Sequence, residues 1–574
     1  MTSPHSASRI GGHALIEALI AQGVDTAFGV PGESFLAALD GFYEYRDRIR
    51  FIACRHEGGA SFMAEAQGKL SGRPGICFVT RGPGASNAAI GLHTAFQDST
   101  PLILFIGQVA SGQRDREAFQ EVDYRQMFGP GTLGFAKWVG EVQDADRLPE
   151  YVARAFHVAL QGRPGPVVLV LPEDMLTTQT TAPVLPRVEP ALAAPAPAAL
   201  ARLRELLAAA KRPLVIAGGS GWDAAACESL ERFAERWQLP VACAWRFQDT
   251  FDNRHPNYAG DVGIGIAPKL AARVGEADLL IALGPRLGEM TTGGYELIAA
   301  PRPAQPLVHI HAGAEELGRV YAGELLINAS MACAAPALAA LEPPARIAWQ
   351  GSAAAAHADY EANLVSAALE PVDLAEIVKT IERLAPQDAV LTNGAGNSSG
   401  WLHRFHRYPG LRHGGRSQLA PTAGAMGYGL PAAIASALLH PGRTAINVSG
   451  DGDFLMTSPE LATAISHGAK NLVAVVVDNA SYGTIRMHQE REFPGRVSGS
   501  DIPNPDFVAL ARAFGWHAAG ITSTAGFEPA FAEALAAGRP ALIHVPLDAD
   551  IITSRTTLAA IRSNAERRAA GQPT

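Results

Sequence analysis

Short runs of consecutive apolar residues recur along this chain, among them GICFV before Thr80, PLILFIG from Pro101, DLLIALG from Asp278 and NLVAVVVD from Asn471. A strand with one wet face alternates apolar and polar residues, whereas a strand that is apolar throughout must be covered on both faces. Between the runs lie amphipathic stretches such as HALIEALIAQG, closed by Gly23, and DLAEIVKTIERLA from Asp373, whose spacing predicts helices. Strands alternating with covering helices imply βαβ units. The expected fold class is therefore α/β, with doubly wound parallel sheets.

The rhythm breaks twice. APVLPRVEPALAAPAPAAL, from Ala182, is rich in proline and alanine, and a loosely patterned stretch follows about Ala334. These breaks divide the chain into blocks at 1–181, 200–335 and 365–555, with linkers at 182–199 and 336–364 and a tail at 556–574. Three domains of this size suit a chain of 574 residues. No short-period repeat is visible, although the first and third blocks could share a fold.

Composition excludes several classes of function. With 47 basic and 56 acidic residues and no dense run of either sign, the chain offers no electrostatic footprint for a nucleic-acid backbone. The five cysteines, Cys54, Cys77, Cys227, Cys243 and Cys333, are scattered without a CxxC pair, as expected of reduced thiols in a cytoplasmic protein. The amino end shows no continuous apolar segment of the secretory type. The uncharged window from Ser417 to Gly442 holds Pro421, Pro431 and Pro441, so no membrane span is expected.

The most informative segment is Gly450-Asp451-Gly452-Asp453-Phe454, at the end of the predicted strand AINVS. Ligands bind at such strand ends, and glycine lets backbone amides approach a phosphate. A carboxylate beside a phosphate calls for a cation between them, and Mg²⁺ prefers oxygen ligands in octahedral geometry. Asn479 follows Asp451 by 28 residues, at the end of the next apolar run, where it can supply a second oxygen.

With GDG, a strand and then asparagine in this order, the chain resembles the thiamine-diphosphate-dependent enzymes. The resemblance implies a first, pyrimidine-binding domain, a central domain and a third, diphosphate-binding domain. It implies that Asp451, Asn479 and the backbone carbonyl of Ser481 hold Mg²⁺. The cofactor would be held by Gly396, Asn397, Ser398, Gly450, Gly452 and Asp453, and by Tyr482, Gly483 and Thr484 after the asparagine. Met426 matches the apolar residue that wedges the two cofactor rings into a V, and the Gly424 carbonyl would accept from the cofactor's amino group. Glu57, in RHEGGA, matches the glutamate that exchanges a proton with the aminopyrimidine ring, so it is both a catalytic and a cofactor-binding candidate.

TRGPGASN, DSTPL, GQV and AFQE narrow the resemblance to the acetolactate synthase-like branch, with Phe119 and Gln120 as further catalytic candidates. Lys137 stands at the place of that branch's KHN lysine. Where the branch reads PGG before a small residue this chain has Pro31-Gly32-Glu33-Ser34, bringing a carboxylate toward the reaction zone, and His488 replaces its tryptophan. Arg286 survives from the segment that holds FAD in anabolic acetolactate synthases, but its aspartates do not, so FAD is expected to be absent.

The function this implies is decarboxylation of a 2-oxo acid, pyruvate above all, dependent on thiamine diphosphate and Mg²⁺, with ligation to a second carbonyl compound. The alternative is a 2-oxo acid decarboxylase or C–C lyase with the same cofactor, although the His-His pair of simple pyruvate decarboxylases is missing. The expected partners are a small-molecule 2-oxo acid and further copies of the chain, in a homodimer or homotetramer with active sites at the subunit interface. Neither nucleic acid nor membrane is expected as a partner.

Overall fold

The computed structural model describes residues 8–130 and 134–571. Among them are three six-stranded sheets, parallel throughout, and a two-residue antiparallel pairing of Arg9–Ile10 with Gln179–Thr180. The chain divides into two compact units. One comprises residues 1–191 together with 434–439 and 459–467; the other comprises the remainder from Leu192 onward.

The sheet of the first unit is built from β1 (Thr26–Gly29), β2 (Arg50–Ala53), β3 (Gly75–Val79), β4 (Leu102–Gln108), β5 (Trp138–Glu141) and β6 (Pro166–Pro172), in the order β2-β1-β3-β4-β6-β5. Strands β3, β4 and β6 are buried at every position, as their unbroken apolar runs require. Packed rings of Phe78 and Phe105, 4.6 Å apart, lie in its core.

The second unit holds two sheets. The central one contains β7 (Pro213–Ala217), β8 (Val241–Ala244), β9 (Tyr258–Val262), β10 (Leu279–Leu283), β11 (Leu307–His311) and β12 (Leu325–Asn328), ordered β9-β8-β7-β10-β11-β12. Successive residues point to opposite faces: Val215, Cys243 and Ile281 enter one core, and Leu214, Ala242 and Leu280 the other. The third sheet contains β13 (Val390–Thr392), β14 (Gln418–Leu419), β15 (Ala445–Gly450), β16 (Leu472–Asp478), β17 (His517–Gly520) and β18 (Ala541–Pro546), ordered β14-β13-β15-β16-β18-β17. That is the same topology as the first sheet, as expected if the first and third blocks share a fold.

Two stretches carry more structure than their composition predicts. Residues 336–364, expected as a linker, hold the helix Ser352–Asn363, and Trp349, Ala356 and Tyr360 join the central cores. A few large side chains anchor an alanine-rich segment whose own periodicity is too weak to announce a helix. The tail at 556–574 contains the helix Leu558–Ala569, and Arg562 Nε donates to Glu490 at 2.8 Å. By contrast, 182–196 has no helix or strand before the helix Pro197–Ala209. Among the described residues no helix is long and apolar enough to cross a membrane. All five cysteines are unbridged, and all but Cys333 are buried.

Candidate active site

In the third sheet the strand order reverses between β13 and β15, which opens a crevice at their carboxyl ends. A cavity of about 270 Å³ lies there, lined by Gly396, Asn397, Ser398, Gly424, Met426, Gly450, Asp451, Gly452, Asp453, Asn479, Ser481, Tyr482, Gly483 and Thr484. The structure thus brings together every cofactor- and metal-binding candidate named in the third block, but not His488. It adds an apolar wall of Trp401, Ile485, Leu547, Ile551 and Ile552, which no motif marks in the sequence.

Asp451 begins the turn after β15 and is buried. Its Oδ1 accepts from the Gly452 amide at 2.9 Å, and its Oδ2 from Asn504 Nδ2 at 2.7 Å. The same Asn504 nitrogen donates to Asp478 Oδ1, also at 2.7 Å, and His544 Nε2 lies 2.9 Å from Asp478 Oδ2. Burial pushes the Asp451 carboxyl up against the donations from Asn504 and Gly452. Burial would raise Asp478 as well, but His544, the Ala480 amide and Asn504 hold it low, at about 2. The Ala480 amide donates to Asp478 Oδ1 at 3.0 Å, and Ala480 takes a left-handed φ of 50°, turning the chain between Asn479 and Ser481. The Ser481 carbonyl accepts from Gly483 N at 2.7 Å and keeps a second lone pair.

A divalent cation fits this donor set. Two neighbouring carboxylates share one carboxamide donor, while an amide oxygen from Asn479 and a carbonyl from Ser481 belong to the same cavity, the hard oxygen chemistry that Mg²⁺ selects. Among the described residues no group of three or more His, Cys, Asp and Glu is arranged to hold a metal, so a cation held here would need asparagine and backbone oxygen besides carboxylate. The cavity also fits an elongated cofactor with a polar and an apolar end. Glycines, the half-buried Met426 and the aliphatic residues all line it, and Thr484 Oγ1 donates to Asn397 Oδ1 at 2.9 Å.

Asp453 does more than the sequence suggests. Its side chain is buried, and Oδ1 accepts from Gly427 N at 2.6 Å and from Ala395 N at 3.3 Å. Burial raises this carboxyl to about 6, opposed by the Gly427 amide, Ser449, the Ala395 amide and the charge of Arg246.

In the first unit, Glu57 opens the helix Glu57–Ser71 after β2, with His56 as its cap: Gly58 N donates to His56 Nδ1 at 2.9 Å. Asn87 Nδ2 donates to Glu57 Oε2 at 2.9 Å. The buried Glu460 steadies this turn by accepting from His56 N at 2.9 Å and Arg55 N at 3.2 Å. A Cβ on Gly59 would lie 2.5 Å from Glu460 Oε1, so only glycine admits that carboxylate. Sequence reading missed Glu460, which is 403 residues from Glu57 and carries no local motif.

Other candidates of the first unit lie outside its strands, Glu33 in a short 3-10 turn and Lys137 just before β5. Phe119 is 71% exposed, Gln120 has a φ of 63°, and the Phe119 carbonyl accepts from Arg81 Nε at 3.1 Å. Glu33 is not a bare carboxylate, because Arg81 Nη2 donates to it at 2.9 Å. Lys137 Nζ donates to the carbonyls of Gln161 and Arg163, 2.7 Å from each, and so closes the end of the helix Leu148–Leu160. In the second unit, the exposed His488 is engaged by Arg491, and Arg286 pairs with Glu316 at 3.5 Å.

Three family models match the chain: the N-terminal TPP binding domain of thiamine pyrophosphate enzymes over residues 9–127, their central domain over 200–341 and their C-terminal TPP binding domain over 394–545. The acetolactate synthase isozyme 2 large subunit of Escherichia coli is 31% identical over 548 residues, covering 94% of this chain and 95% of the relative. The acetolactate synthase large subunit of Parasynechococcus marenigrum is 33% identical over 557 residues, covering 93% and 87%. A probable acetolactate synthase large subunit of Methanocaldococcus jannaschii is 31% identical, covering 94% and 92%. With matching domains in order, similarity along nearly the whole length, and a cavity at the expected strand ends, the chain belongs to the thiamine pyrophosphate enzyme family and is an enzyme of the acetolactate synthase type.

Proposed function

We propose that the protein decarboxylates a 2-oxo acid, pyruvate above all, and ligates the remaining acyl unit to a second carbonyl compound, using thiamine diphosphate and Mg²⁺. The observation that carries this reading is the cavity at the ends of β13, β15 and β16, where Asp451, Asn479 and Ser481 meet the glycine floor and Met426. When bound, thiamine diphosphate supplies a thiazolium that accepts the electron pair left by the departing carboxylate.

The residues have separable tasks. Asp451, Asn479 and the Ser481 carbonyl would hold Mg²⁺, with Asn504 orienting the Asp451 carboxylate. The backbone of Gly396, Asn397, Ser398, Gly450, Gly452 and Asp453, with Tyr482, Gly483 and Thr484, would hold the diphosphate. Met426 and the Gly424 carbonyl would set the ring geometry. Glu57, oriented by Asn87, would hold and return a proton at its Oε atoms. The apolar wall of Ile485, Leu547, Ile551 and Ile552 would exclude water.

The proposed assembly is a cytoplasmic homodimer or homotetramer in which Glu57 of one copy serves the cavity of another. The proposed cofactor set omits FAD, since Arg286 is engaged by Glu316 and Trp222 Nε1 fills the end of β7 by donating to the Gly218 carbonyl at 2.8 Å.

A second reading keeps the cofactor and changes the outcome to simple decarboxylation or C–C lysis. It is favoured by the Glu33–Arg81 pair beside Phe119 and by His488, which differ from the branch pattern on the substrate side. Incubation with a panel of 2-oxo acids, followed by mass spectrometry of the products, separates the two. A ligated hydroxy-oxo acid is expected; stoichiometric aldehyde and CO₂ without a ligated product would sink the first reading.

A further inference from the structure

The central domain has no assigned part in the chemistry, yet one of its side chains enters the cofactor loops. Arg246, just beyond the carboxyl end of β8, is 4% exposed and takes a left-handed φ of 66°. Its Nη2 donates to the Gly394 carbonyl at 2.8 Å and its Nη1 to the Pro421 carbonyl at 2.5 Å. Gly394 begins the loop that leads to Gly396–Ser398, and Pro421 begins the one that carries Gly424 and Met426. Asp453 Oδ1 accepts from amides of the same two loops, Ala395 and Gly427. One cation therefore binds a carbonyl of each loop, and one anion an amide of each.

Such bonds to ionised partners are shorter and stronger than neutral ones, and a buried charge persists only where it is compensated. The packing leaves no slack: a Cβ on Gly394 would lie 2.1 Å from Asp453 Oδ1. The segment bearing Arg246 is anchored independently, since Gln248 N donates to Gln418 Oε1 at 2.7 Å and Gln248 Nε2 to the His403 carbonyl at 2.7 Å. Domain docking and loop holding thus fall on different side chains.

We infer that Arg246 and Asp453 form a buried charge clamp that sets the spacing of the two cofactor loops, making Arg246 a positioning residue contributed by the central domain. The inference rests on the proposed cofactor site, because these loops are the ones that would hold thiamine diphosphate.

The test is amide hydrogen exchange on the full-length protein without cofactor, paired with thiamine diphosphate affinity at fixed Mg²⁺. In Arg246→Met, exchange in peptides containing Ala395 and Gly427 should rise about tenfold while β15 and β16 stay protected. The cofactor Kd should rise by about the same factor, with partial recovery in Arg246→Lys. Gln248→Ala should leave both loop peptides as in the wild type. Unchanged loop exchange in Arg246→Met, or an equal rise in Gln248→Ala, would overturn the clamp. Should Arg246→Met unfold globally, Asp453→Asn replaces it: faster exchange at both amides supports the clamp, and faster exchange at neither overturns it. Because exchange is read without cofactor, failure of the wild type to bind thiamine diphosphate would count against the proposed function and leave the clamp result standing.

Discussion

Asn87 donates to Glu57 across 2.9 Å, so the carboxylate at the start of the helix Glu57–Ser71 is oriented before any ligand arrives. Glu57→Gln keeps the size and the hydrogen bonding but cannot exchange a proton as a carboxylic acid does. The variant is expected to retain the thermal shift produced by thiamine diphosphate and Mg²⁺, while turnover of a 2-oxo acid falls about 100-fold or more. Wild-type turnover would remove Glu57 from the chemistry.

Asn504 is expected to matter for metal retention although it lies outside the GDG–Asn motif. Asn504→Ala removes the donor shared by Asp451 and Asp478, and the apparent Mg²⁺ affinity in the presence of thiamine diphosphate should fall about 10- to 100-fold. Asp451→Ala should abolish the Mg²⁺ dependence of cofactor binding altogether. Calorimetric titration of both variants checks this; equal affinity in Asn504→Ala and the wild type would contradict it.

Asp249 is fully buried, pairs with Arg416 at 2.7 Å and accepts from the amides of Ser417 and Gln418. Asp249→Ala leaves a buried guanidinium and two amides without their anion, and the expected cost is about 3–5 kcal/mol in denaturant unfolding. Glu528→Ala, which breaks the solvent-exposed pair with Arg383, should leave the transition in place.

His406 is buried against Tyr408, ring centroids 4.6 Å apart, and burial, opposed by the charge of Glu382 and reinforced by Arg254 and Arg407, lowers its pKa from 6.5 to about 4. With the folded pKa below the unfolded one, the neutral ring's contribution is complete above pH 6.5 and is lost as pH falls toward 4. At pH 5 the loss is about 2 kcal/mol. His406→Phe keeps the ring and should flatten the decline of the unfolding midpoint between pH 7 and 5. An unchanged slope would show that His406 does not drive it.

Much of the fold was legible. Unbroken runs such as LVAVVVD can be satisfied only between two layers, so parallel sheets follow from the strands themselves, whereas the identical topology of the first and third sheets is seen in the structure. The helix Ser352–Asn363 was not legible, because its identity rests on Trp349 and Tyr360 finding pockets formed by β-strands far away in sequence.

The cofactor loops divide in the same way. Gly450–Asp453 and Asn479 are readable because glycine, carboxylate and amide residues stand at strand ends with a recognisable spacing along a single chain segment, and the structure places them around one cavity. The partners of those residues are dictated by nothing local: Asn504 beside Asp451, Glu460 beneath the Glu57 turn, Arg246 and Asp453 on the loop backbones. The sequence by itself determined the family, the layered α/β fold and the residues that gather around the cavity of the third sheet. Only the tertiary structure decided what holds them, because a buried charge takes whichever peptide group packing brings within reach, however far away along the chain.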